Sequence, residues 1–182
     1  EISGFDKIVR EISLSDVRNQ MAEDEAVLEF LFYQNDKFDD YPTDTVFYSV
    51  LVLKRESDAP EFVPLFNDKE IKNLKSTRSL YNPQKRGNQT NLNEVIWQPL
   101  SKHLEGIKTI YYSPSGLLHR INFGAIPINE TETVADRFEL HNMGSTRQLV
   151  FPHETPEYAQ TDAVIFGGIE YESDTILIAQ NS

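Results

Sequence analysis

The chain has 182 residues, with 17 basic against 29 acidic side chains and a formal net charge of −12, which gives room for about one domain to one and a half. An acidic chain repels phosphate backbones and anionic lipid, which argues against nucleic acid or a membrane surface as a partner. There is no cysteine. That removes disulfides, thiolate metal sites and a cysteine nucleophile together, and it suits a reducing, cytoplasmic compartment.

The charge is uneven. Residues 1–66 carry fifteen acidic and six basic side chains, 67–103 carry three and seven, and 104–182 carry eleven and four. No apolar run approaches transmembrane length, and EISGFDKIVREISL has no apolar h-region of a signal peptide. The first residue is Glu1, not Met, which reads as a boundary within a longer protein or as a fragment.

In chain order, Ser3 to Arg10 suits the end of a helix. Ser13-Leu14-Ser15-Asp16 has the form of a capping box opening a short helix to about Met21. Ala26 to Tyr33, AVLEFLFY, is a strand signal broken only by Glu29. Thr45 to Leu53, TVFYSVLVL, is a second, and its near-continuous apolar run suggests cover on both faces. Turn formers between the two predict an antiparallel pair. Glu61 to Phe66 reads as a third strand, and Asn67 or Asp68 can cap a helix to about Lys75. Ser76 to Asn88 holds Pro83, Gly87 and several basic residues, which predicts an exposed loop or irregular helix open to trypsin at Lys85 and Arg86.

Asn91 is an N-cap candidate with Glu94 at the capping-box position. Leu92, Val95, Ile96, Leu100 and Leu104 recur at helical spacing. Pro99 should kink that helix or end its first half, and Trp97 reads as a buried core anchor facing the strand that starts at Ile107.

The stretch Ile107 to Ile128, IKTIYYSPSGLLHRINFGAIPI, organises the rest. An apolar run to Tyr112 predicts a strand, Ser113-Pro114-Ser115-Gly116 suits a type I turn, and Leu117 to Phe123 is a second apolar run. Residues alone point to a buried hairpin. A short strand over Arg137 to Asn142 follows. After a linker holding Pro152 and Pro156, Ala163 to Phe166 predicts a compact strand ended by Gly167-Gly168. No internal repeat at solenoid period is visible.

Few constellations carry chemistry. His103, His119, His141 and His153 show no metal-ligand spacing, and Gly167-Gly168 lacks the continuation of a phosphate-binding loop. Ser113, Ser115 and His119 lie close in sequence, but outside any nucleophile-elbow motif. His119 reads as a core histidine bonded to a backbone carbonyl. The carboxylates of 1–66 read as a solvated face, and the Lys/Arg cluster at 69–86 is too small to reverse the net charge. No catalytic, cofactor-binding or metal-binding residue is assigned, and no cofactor is expected.

The order of four pieces carries a resemblance: AVLEFLFY, TVFYSVLVL, the Trp-x-Pro-Leu helix at Trp97, and YYSPSGLLHRINFGAI. In that order, from about Ser13 to Tyr171, the chain resembles the CHAT domain, a caspase-like cysteine peptidase family that often follows tetratricopeptide repeats. GSTRQL at Gly144 to Leu149 is similar to the family's short Ser-rich helix.

The resemblance implies an α/β fold, the N-terminal portion of a caspase-like three-layer sandwich, with antiparallel strands and the start of a central, mostly parallel sheet. It implies a linker helix or the end of a helical domain at 1–22. It also implies the N-terminal part of a CHAT domain at 23–160, and the truncated first strand of the catalytic core at 161–182. The family's catalytic His-Gly motif and Cys belong after that strand, so they carry over to no residue here. The implied partners are the remaining catalytic half, in cis or in trans, a protein or peptide substrate, and a tetratricopeptide-repeat segment upstream. The alternative is a non-enzymatic interaction module or adaptor.

Overall fold

Alternation along AVLEFLFY sets the first layer. In strand β1, Glu25–Gln34, the side chains of Ala26, Leu28 and Phe30 fall on one face and are buried there, while Val27 is buried on the other. This is the period-2 pattern of a pleated strand covered on both sides. The computed structural model describes residues 11–34, 44–72 and 91–151. The expected helix at Ser3 to Arg10, the loop at Ser76 to Asn88 and the strand at Ala163 to Phe166 lie outside these residues.

Strand β2, Val46–Lys54, pairs antiparallel with β1 from Ala26 opposite Lys54 to Gln34 opposite Val46. β3, Glu61–Asn67, pairs antiparallel with β2, with an irregularity at Tyr48/Ser49. β4, Thr109–Ser113, and β5, Glu139–Asn142, join the other side, both in parallel register. The result is a mixed α/β fold around one five-stranded sheet of order β3-β2-β1-β4-β5.

The main core lies on one face of the sheet. Phe30, Val50 and Ile110 meet Leu92, Ile96, Leu100, Leu118, Phe123 and Ile126 there. A smaller cluster on the opposite face joins Val27 and Leu53 to Val17 and Met21. Val17 belongs to helix α1, Leu14–Asn19, whose capping box forms as the sequence suggests: Ser13 Oγ accepts from Asp16 N, and Asp16 accepts from Ser13 N at 2.9 Å. α2, Asp68–Lys72, follows β3 directly.

Two expectations need correction. Leu117 to Phe123 is not the second arm of a hairpin. After β4 the chain makes two 3-10 turns, Gly116–Arg120 and Phe123–Ala125. β4 finds its partners in β1 and β5 instead, and the apolar residues of the turns plug the core beneath the sheet. The second correction is the start of the last strand. Val134–Arg137 forms helix α4, capped by Thr133 and Asp136, so β5 begins at Glu139 rather than Arg137.

Candidate functional site

The sequence places Pro99 inside a helical pattern, and the helix adapts rather than breaks. An α-helix would use the N–H of residue 99, which proline lacks. The chain forms a π turn over Asn93–Trp97, with Gln98 N–H donating to Asn93 C=O, and then the α segment α3, Gln98–Ser101. Asn91 caps the start, its Oδ1 accepting from Glu94 N at 3.0 Å. Asn93 Nδ2 donates to Ile128 C=O at 3.1 Å, tying this helix to the end of the organising stretch.

That geometry buries Trp97, which is 5% exposed, as expected from sequence. Its ring stacks on Phe138 with centroids 6.0 Å apart and meets Phe123 edge-on at 6.4 Å. Its Nε1 has no hydrogen-bond partner among the described residues. Beside it opens a cleft of about 380 Å³, whose apolar wall is Trp97, Leu104, Ile107, Ile128 and Phe138. Asn93, Glu105 and Arg137 add polar groups to the lining. Gly106 also lines the cleft. Its φ of +79° is the left-handed region that favours glycine, and a Cβ there would meet nothing within 4 Å.

The residues near the Ser-Pro-Ser-Gly turn do not form a catalytic group. Ser113 is buried, and its Oγ donates to Gly144 C=O at 3.3 Å. Ser115 Oγ is buried without a partner among the described residues. His119 is exposed rather than a core histidine, because it sits on the outer side of a 3-10 turn whose buried member is Leu118.

The other described histidines are separate. His103, in the turn after α3, contacts Glu61 of β3 through Nδ1. His141 stacks on Tyr111 at 4.9 Å, with its Nε2 3.1 Å from Glu139. His153 lies outside the described residues. Among the described residues no group of His, Asp and Glu could hold a metal ion, and no helix is long and apolar enough to cross a membrane.

Glu29, the one interruption of the β1 apolar run, is a tether. Its carboxylate accepts from Thr146 N at 3.2 Å and Thr146 Oγ1 at 2.5 Å, holding the 3-10 turn Thr146–Val150 against the sheet. Burial and the neighbouring Glu25 carboxylate push the Tyr111 phenol above its ordinary value, since both disfavour a phenolate. The Lys108 ammonium, 2.9 Å from Asp24, holds that carboxyl below its ordinary value.

The cleft was not visible in the sequence. Phe138 falls in a segment that reads as strand, and Trp97 reads as core alone. The signal available was Glu105-Gly106, a turn glycine just after the tryptophan helix. Comparison with protein-family models, with curated proteins and with solved structures finds no match.

Proposed function

We propose that this chain is the N-terminal, non-catalytic half of a CHAT-type, caspase-like cysteine peptidase, serving as a scaffold for the catalytic sheet and the substrate groove. The observation that carries the reading is the fate of SPSGLLHRINFGAI. The stretch leaves a central parallel strand and delivers Leu118, Phe123 and Ile126 into the core below the sheet. The four pieces that carry the resemblance therefore act as one packed unit: β1, β2, the tryptophan helix and the stretch after β4.

Caspase-type hydrolysis needs a thiolate and a histidine to activate it or to protonate the leaving amine. With no cysteine among the 182 residues, the nucleophile comes from another segment or another polypeptide. The caspase-like sandwich, the cytoplasmic location and the partnership with a catalytic half all belong to this proposal. The reading is tested by co-producing the chain with the segment its reading frame encodes downstream and probing with a thiol-reactive peptide inhibitor. Labelling of a downstream cysteine supports it, and absence of a His-Gly motif and cysteine downstream would remove it.

The second reading, a non-enzymatic interaction module, is favoured by the same lack of cysteine together with the open cleft at Trp97. It gains if the whole reading frame lacks a thiol.

A further inference from the structure

The two edges of the described sheet differ. β3 carries Pro64 in mid-strand and an irregular register against β2, devices that blunt an edge. β5 has neither. Glu139 N donates to Lys108 C=O and Met143 N to Tyr112 C=O, so alternate residues of β5 face β4. By the same alternation, the N–H and C=O groups of Leu140 and Asn142 point away from β4, toward the outer side.

Leu140 packs toward the main core, the face on which Trp97 lies, and Phe138 just before β5 lines the cleft. A strand paired with β5 would set alternate side chains on that face, opposite Leu140 and Phe138. The surroundings are acidic. Asp24, Glu105, Glu132, Asp136 and Glu139 stand against Lys108 and Arg137, and both cations already contact carboxylates, Asp24 and Glu132.

We propose that the outer edge of β5 and the Trp97 cleft form one docking site for an extended, lysine- or arginine-flanked segment of a partner protein. The segment adds a strand to the described sheet and places an apolar side chain in the cleft. The edge supplies backbone hydrogen bonds, the cleft supplies an anchor, and the carboxylates select positive flanks. Because β5 is short, backbone pairing alone is weak, and the anchor contributes the rest. The inference stands on the edge and the cleft, and holds whether or not the peptidase reading does.

Trp97 is the only tryptophan in the chain, so its fluorescence reports the cleft directly. The full chain is titrated with a short synthetic peptide alternating Thr with Phe and ending in Lys at both ends. A saturable change in Trp97 emission is expected. N-methylation of the backbone nitrogens in one alternating set should weaken binding at least about tenfold, while the other set leaves it intact. Exchanging the terminal Lys for Glu should also weaken it. Asn142→Pro removes an outward N–H, spares the bonds to β4, and should weaken binding several-fold with the melting temperature held. Equal binding by both methylated sets, undiminished binding by the glutamate peptide or by Asn142→Pro, or no emission change at saturating peptide would each overturn the proposal. The peptide-side comparisons decide the question even if Asn142→Pro fails to fold.

Discussion

At the residue scale, Trp97 joins its helix to the segments after β4 through ring contacts with Phe123 and Phe138. Trp97→Ala should destabilise by roughly 3–5 kcal/mol, the usual cost of removing a buried aromatic side chain. An unchanged midpoint in chemical denaturation would contradict this. Gly116 is the other critical position. Its φ is +56°, and a Cβ would lie 2.9 Å from the Tyr48 hydroxyl, which accepts from Leu117 N at 3.2 Å. Gly116→Val should lower the melting temperature through both backbone strain and loss of that bond, whereas Gly106→Ala, strained but unobstructed, should cost less. A larger loss at Gly106 would reverse the account of the turn after β4. Trp97 was legible in the sequence because a lone tryptophan at helical spacing among Leu and Ile has few places to go but inward. His119 was not legible: its burial depends on which side of a 3-10 turn faces the core, and sequence spacing does not reveal that.

At the element scale, Glu29 and Asp136 show how single carboxylates hold short elements that have little packing of their own. Removing Thr146 Oγ1 by Thr146→Val leaves Glu29 half-buried with one fewer donor, which should cost on the order of 1–3 kcal/mol. Amide exchange in the turn Thr146–Val150 should rise more than exchange in β1, and uniform protection would argue against the tether. Asp136 accepts hydrogen bonds from Thr133 N and Oγ1 at 2.7 and 2.8 Å, and these bonds hold its carboxyl below the ordinary value. A lowered folded-state value means the stabilisation is present above the ordinary aspartate range and is lost as pH falls through the lower value. The gap in melting temperature between Asp136→Ala and the parent chain should therefore close as pH drops below about 4. A gap independent of pH would contradict the cap.

The capping box at Ser13, the N-cap at Asn91 and the antiparallel β1–β2 pair were readable because their determinants are local. The parallel pairing of β4 was not. Tyr111 and Tyr112 prefer a strand whatever lies beside them, and the partner is chosen by contacts with β1, far back in sequence. That is also why a Ser-Pro-Ser-Gly turn between two apolar runs suggests a hairpin where the chain instead dives under the sheet.

At the scale of the molecule, five strands in the order β3-β2-β1-β4-β5 hold a tryptophan-lined cleft but no assembled nucleophile and base among the described residues. Serine could replace cysteine only with an arranged base and an oxyanion hole, and among the described residues Ser113 Oγ donates to a backbone carbonyl while Ser115 Oγ has no partner. The proposal that most needs a test is that this chain serves as the scaffold of a peptidase whose thiol lies elsewhere. The most direct test is turnover of a broad fluorogenic peptide panel by Glu1–Ser182 alone and by the same chain produced together with its downstream segment. The account predicts no turnover by the isolated chain at any pH, and turnover sensitive to thiol-reactive inhibitors once the second half is present. Turnover by the isolated chain, insensitive to such inhibitors, would contradict it.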